Sequence, residues 1–216
     1  MLAAIDDAVV AAHGDAAAER ALEARLVAVL KTDSPRAAKD FVCRKLRTFG
    51  TAQCVPALAA LLLDKDLSHM ARYALELNLA PQAAAALREA LPKAQGALKV
   101  GILGSLGKRR DAASSGAILP LLADADKAIA AAAASALGAI GTPQAASALR
   151  DCLKQVSQER KASVTDACLV CAERLLADGK KAEATAVYKS LSGEDQPPHV
   201  RLAAARGLLS AAGKKN

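Results

Sequence analysis

The chain has 216 residues and a mass of 22.0 kDa, 53% of the residues hydrophobic, which is material for one large domain or two small ones. With no Trp, two Phe and two Tyr, its apolar content is dominated by Ala and Leu, the strongest helix formers, which excludes a sheet built on aromatic and β-branched strands. The 29 basic residues outnumber the 22 acidic ones for a formal charge of +7, yet both signs are interspersed without a run of about five, which excludes a polybasic tail and describes a solvated surface.

No alternating run reads as a strand, so the elements are helices, taken here in order. Asp6 and Asp7 interrupt the start before an apolar segment forms, and no signal peptide is expected. Residues 1–33 form a first hairpin with a degenerate stripe at Leu26, Val29 and Leu30. In 34–64 a helix ends on Leu46-x-x-Phe49-Gly50, Thr51 is an N-cap candidate, and a second helix carries Ala57, Leu58, Leu61 and Leu62. In 65–93 the same apolar offsets return as Ala86, Leu87, Ala90 and Leu91. In 94–124 they return as Ala117, Ile118, Leu121 and Leu122, after a helix ending on Leu103-x-x-Leu106-Gly107.

The hairpin 125–156 ends its first helix on Leu137-x-x-Ile140-Gly141, with Thr142 as N-cap and Pro143 in the first turn of the next. Its second helix bears Ala148, Leu149, Cys152 and Leu153. The four starting alanines are 29, 31 and 31 residues apart, and apolar offsets of 0, 1, 4 and 5 trace one stripe of a helix. Glycines after each first helix suit the left-handed conformation of a C-cap. Residues 157–192 come after a longer interval, with Leu175-x-x-Asp178-Gly179 and then Ala186, Val187 and Leu191, and drift toward a TPR-like hairpin. In 193–213 Pro197 and Pro198 start a last helix to about Ala212, with Leu202, Leu208 and Leu209 lacking a successor. These predict either a piece of a longer chain or an end that pairs with another molecule. The uncharged stretch 128–149 is interrupted by Gly141-Thr142-Pro143 and reads as two helices and a turn, not a membrane span. A soluble protein, cytoplasmic by default, is expected.

A hairpin of about 30 residues cannot bury its stripe alone, so neighbours must stack. The expectation is an all-α fold, a right-handed α-α superhelix of six to seven hairpins. It forms one solenoid over 1–216, best formed at 34–156 and divergent over 157–216. The segment "LGAIGTPQAASAL" followed by a second amphipathic helix resembles bacterial HEAT repeats, the class grouped with the phycobilisome-lyase repeat. "DLSHMARYALE" (66–76) and "PHVRLAAARG" (198–207) are similar to segments of such proteins. The resemblance covers roughly 34–155 well and the flanks loosely. It implies a scaffold reused by unrelated activities; its lyase relatives attach bilins, which keeps an enzyme-associated role as a remote alternative.

No catalytic residue, cofactor or metal site is expected. Cys168 and Cys171 form a CxxC, but a helix starting near Ser157 to Arg160 places Cys168 two turns inside. A reactive pair needs its first Cys at a helix N-terminus, so two buried residues at i, i+3 are expected. Cys43 and Cys54 sit on opposite arms of a hairpin, out of register for a disulfide. His13, His69 and His199 fall in different hairpins, without zinc-like spacing. Asp64/Asp66 and Asp124/Asp126 recur at one repeat offset and mark loop and N-cap chemistry.

The expected function is non-enzymatic protein binding, to another protein or the remainder of a longer chain, without membrane involvement. A concave face lined by exposed positions of the second helices would supply Gln53, Ala60, Arg88, Glu89, Arg150, Asp151, Lys154 and Tyr188. The alternative is duplex nucleic acid held through Arg44, Lys45, Arg47, Lys108, Arg109 and Arg110. The near absence of aromatic residues leaves that alternative only salt-sensitive backbone contacts.

Overall fold

The computed structural model describes residues 2–213, which form thirteen α-helices and no strand among them. The chain packs as two compact units, residues 1–105 and 106–216, with the division falling inside one helix. Each unit is a stack of helical hairpins, the α-solenoid arrangement.

Unit 1 contains α1 (Leu2–Ala12), α2 (Ala16–Leu30), α3 (Arg36–Phe49), α4 (Val55–Ala60), α5 (Ser68–Leu75), α6 (Pro81–Ala90) and the larger part of α7 (Gly96–Lys108). Unit 2 contains the end of α7, α8 (Ser115–Ile118), α9 (Lys127–Ile140), α10 (Pro143–Gln155), α11 (Gln158–Ala177), α12 (Lys181–Ser190) and α13 (Pro198–Ala212). The expected hairpins appear as α1–α2, α3–α4, α5–α6, α7–α8, α9–α10 and α11–α12, with α13 alone after them. The α7–α8 hairpin departs from a simple pair: α8 has one turn, flanked by 3₁₀ segments Ala112–Ser114 and Leu119–Ala123. Pro120 has no N–H to donate to Gly116, so the ladder tightens there into i→i+3 bonds.

The stripe expected on the second helices is core mainly at two of its four offsets, while Leu61 and Leu121 are half-buried and Ala117 is exposed. Leu58 and Leu62, Leu87 and Leu91, Ile118 and Leu122, and Val187 and Leu191 are all buried, as is Leu149. Leu153, which occupies in α10 the place of Leu62, Leu91 and Leu122, is only half-buried. In unit 1, α3 packs on α2 and α5; in unit 2, α9 packs on α11, and α11 on α12. Small residues are buried on both helices, Ala130, Ala133, Ala134 and Ala136 on α9 and Ala167, Cys168, Cys171 and Ala172 on α11, and Gly138 of α9 stands against Ala167 of α11.

Two of the four helix-ending glycines behave as expected and two do not. Gly141 ends α9 at φ 69° and bonds back to Leu137 O at 3.1 Å. Gly179, at φ 78°, forms a Schellman turn after α11, with Lys180 N bonded to Leu175 O and Gly179 N to Leu176 O. Gly50 instead is extended, at φ −61° and ψ 134°, and a Cβ there would run into the Leu46 carbonyl and Cys54 Sγ. Gly107 lies within α7, where a Cβ would stand 2.9 Å from Ala136 Cα; it is glycine for the approach of α9. The Schellman turn after α7 therefore falls on Arg110, at φ 52°, with Asp111 N bonded to Leu106 O and Arg110 N to Gly107 O.

Polar ties run between hairpins at about one repeat of separation. The buried carboxylate of Glu23 accepts from Thr51 N at 2.8 Å, Thr51 Oγ1 at 2.8 Å and Cys54 N at 3.1 Å. Thr51 is thus held by α2 instead of capping α4, which starts only at Val55. Asn78 Nδ2 donates to the carbonyls of Gly50 and Thr51 at 3.0 and 2.9 Å. Arg72 Nη1 donates to Gly101 O at 2.9 Å, and Gly101 leaves the space its guanidinium occupies. In unit 2, Arg160 donates to Leu122 O at 2.6 Å and Lys127 pairs with Glu159 at 2.8 Å. Asp64 and Asp124 fold their loops by accepting from Asp66 N and Asp126 N, and Asp126 and Thr142 cap α9 and α10.

These contacts set three expected outcomes in thermal denaturation. Gly138→Ala places a Cβ against the Ala167 carbonyl at 2.6 Å and costs roughly 1–3 kcal/mol. Gly104→Ala, in an α7 position with nothing within 4 Å, stabilises by about 0.5–1 kcal/mol. Glu23→Ala strands two backbone donors and costs roughly 2 kcal/mol or more.

Candidate functional site

The residues expected on a concave face divide between the units. In unit 1, Gln53 lies exposed in the turn before α4, Ala60 is exposed at the end of α4, and α6 carries half-buried Arg88 beside exposed Glu89. In unit 2, α10 presents Arg150, Asp151 and Lys154. Tyr188 is a correction: it is 2% exposed, because Gly207 of α13 has no side chain and the tyrosine ring fills that space. A position expected to face a partner is instead part of the α12–α13 packing.

The basic residues of the nucleic-acid alternative are largely committed within the protein. In unit 1, Lys45 pairs with Asp6 and lies 5.0 Å above the Phe41 ring. Arg47 donates to the Tyr73 carbonyl at 2.6 Å, its guanidinium 3.7 Å above the Tyr73 ring, which fixes α3 to α5. Arg44 is exposed and, with Lys45, lines a cleft of about 360 Å³ that includes Val9, His13 and Phe49. Arg36 reaches Asp40 and Asp66. In unit 2, Arg110 pairs with Asp178, Lys108 is exposed, and Arg109 is half-buried.

A concavity that gathers several of the residues expected on a concave face lies in unit 2. A cleft of about 340 Å³ is lined by Arg150, Leu153 and Lys154 of α10, Lys161 of α11, and Ser190, Asp195 and Gln196 around the α12–α13 connection. Lys161, Asp195 and Gln196 also line a second cleft of about 320 Å³, against Thr165, Asp166 and His199. The two clefts therefore adjoin along the starts of α11 and α13.

Arg150 and Lys154 are one helical turn apart, so the 3.6 periodicity sets them on one side of α10. Lys154 Nζ donates to Asp151 Oδ1 at 2.8 Å, which holds the Asp151 carboxyl below its usual range. Gln196 Nε2 donates to Asp195 Oδ2 at 3.0 Å. The Nε of Arg150 is buried without a hydrogen-bond partner among the described residues. The groove thus offers three cations, one half-buried leucine and two amide or hydroxyl groups.

Lys161, Ser190, Asp195 and Gln196 were not expected from the sequence. Asp195 and Gln196 lie on the α12–α13 connection, Lys161 on a first helix and Ser190 at the end of α12, so none is an exposed position in the body of a second helix.

Four of the five thiols are withdrawn from solvent. Cys43, Cys54, Cys168 and Cys171 are fully buried and free. Burial pushes Cys43, Cys54 and Cys168 up to about 12 and Cys171 up to about 11, from an ordinary value of 9.0. The nearby carboxylates Asp40, at Cys43, and Glu23, at Cys54, add to the effect. Cys168 lies nearly three turns inside α11, remote from a helix N-terminus. Among the described residues no three His, Cys, Asp or Glu side chains group as a metal site, and no helix is long and apolar enough to cross a membrane.

The family model of HEAT repeats matches residues 84–168, from within α6 to within α11. HEAT repeats generally serve as scaffolds for protein interactions. An engineered protein, whose crystal structure comes from the Northeast Structural Genomics Consortium, is similar at 16% identity. That similarity covers 96% of this chain and 96% of that one, with a TM-score of 0.47. No curated protein matches.

The buried thiols set a pH dependence. The unfolded chain ionises its thiols near 9, whereas the fold holds them neutral to about 11 or 12. Their contribution to stability is complete below pH 9 and is lost as the pH rises toward those values. The thermal midpoint therefore falls above pH 9, and falls less in a Cys43→Ala, Cys168→Ala variant. In the native protein at pH 8, iodoacetamide modifies half-buried Cys152 ahead of the other four, as read by mass spectrometry.

Proposed function

We propose that this protein is a non-enzymatic protein-binding module whose partner lies in the groove of unit 2 formed by α10, the start of α11 and the α12–α13 connection. Leu153 carries this reading. In four other second helices the equivalent residue is buried (Leu62, Leu91, Leu122 and Leu191), while in α10 it is half-buried at the floor of an open cleft. A half-buried apolar position rimmed by Arg150, Lys154 and Lys161 has the composition of an interface, with an apolar centre and a polar, arginine-containing edge. The match to HEAT repeats, which covers α10, supports it. Nucleic-acid binding is less supported, since Lys45, Arg47 and Arg110 already serve as ties within their units.

Site-specific photocrosslinking in the source cells tests this reading. A benzophenone amino acid at position 154 forms a protein adduct, and the same group at exposed position 33 forms none. The reading is overturned if position 154 gives no protein adduct or if the two positions give the same adducts.

A further inference from the structure

We infer that the occupant of this groove is an extended, acidic segment of a partner protein, with carboxylates on alternate residues. The inference rests on the protein-binding reading and adds the chemistry and spacing of what is bound.

Charge is the first argument. The cleft is walled by Arg150, Lys154 and Lys161, against Asp195 alone. Asp195 already accepts from Gln196, and Lys154 is matched only by Asp151 at the surface. Arg150 is half-buried and its buried Nε lacks a partner among the described residues. A carboxylate is the group that satisfies a desolvated guanidinium, through a short charge-assisted hydrogen bond.

Spacing is the second. Arg150 and Lys154 are four residues apart on α10, a rise of about 6 Å at 1.5 Å per residue. In an extended segment, side chains on one edge repeat every second residue, at about 6.6 Å. Carboxylates at i and i+2 therefore meet both cations with the backbone running along α10. Carboxylates at i and i+1 point to opposite edges and meet only one. Lys161, across the cleft on α11, takes a further acid, and Leu153 takes an apolar neighbour.

A phosphate backbone has a similar repeat but fits less well. The adjoining cleft presents Asp166 and Asp195, which repel a continuous polyanion, and neither cleft has a Phe, Tyr or Trp side chain on which bases stack.

The test uses the whole chain and three fluorescein-labelled probes in anisotropy titrations. The first is a peptide with three glutamates alternating with valines. The second has the same residues with the glutamates adjacent, and the third is a strand of ten thymidine nucleotides. The alternating peptide is expected to bind at least about ten-fold more tightly than the adjacent one, the scale of one partly desolvated charge pair. Its affinity falls as salt rises, and Arg150→Glu or the surface change Lys154→Glu each weakens it about ten-fold. Either variant alone suffices, so one that melts early leaves the other to decide. Equal affinity for the two peptides, tighter binding of the thymidine strand, or indifference to both charge reversals overturns the inference. Should position 154 still crosslink to a protein that the alternating peptide does not displace, this inference fails and the protein-binding reading stands.

Discussion

Close helix approach through small residues is the constraint on which unit 2 depends. With few bulky side chains, the core cannot be filled by aromatic wedges, so helices must come near enough for backbones to touch. Gly107 against Ala136 and Gly138 against Ala167 are the points where a single added carbon meets the neighbouring helix. At such distances dispersion is gathered from many short contacts, and any increase in volume is felt at once. The buried alanines of α9 and the alanines and cysteines of α11 belong to the same scheme. Cysteine serves there as a small apolar residue, and its thiol stays protonated because burial disfavours the anion.

Polar side chains then fix what close packing leaves undetermined, namely the register of one hairpin on the next. Glu23, Asn78, Arg72 and Arg160 each bond to backbone groups of a neighbouring hairpin. Their partners are mainly main-chain atoms, with Thr51 Oγ1 also donating to Glu23 and the absent side chain of Gly101 making room for Arg72. The same demand consumes much of the basic charge: Arg47 is as much an α3–α5 clamp as a surface cation. Net charge is therefore a poor guide to what this protein binds.

How much was legible in the sequence follows from this physics. Hairpins, their order and the buried stripe were readable, because helical periodicity is local and Leu58, Leu87, Ile118 and Leu149 recur at a constant offset. The caps were half readable. Gly141 and Gly179 take the left-handed turn, but Gly50 is crowded by the Leu46 carbonyl and Cys54 Sγ and Gly107 by α9, which no local pattern separates from a C-cap. Tyr188 was misplaced for the same reason, since the space it fills is made by Gly207 on the following helix. Of the candidate groove, Arg150 and Lys154 were readable as exposed helix positions. Lys161, Asp195 and Gln196 were not, because the first turns of α11 and the α12–α13 connection meet α10 only in three dimensions.

Arg110 carries a consequence for the order in which the structure assembles. It adopts a left-handed conformation that a residue with a side chain enters at a cost of about 1 kcal/mol, and its guanidinium is held by Asp178. Most other ties between hairpins join residues 24 to 38 apart in sequence, whereas this one joins residues 68 apart. The longer loop is entropically dearer to close, and its two ends meet only when the intervening α9, α10 and α11 are already in place. The turn after α7 is thus the part of unit 2 whose final geometry waits on the rest, a latch set after nucleation.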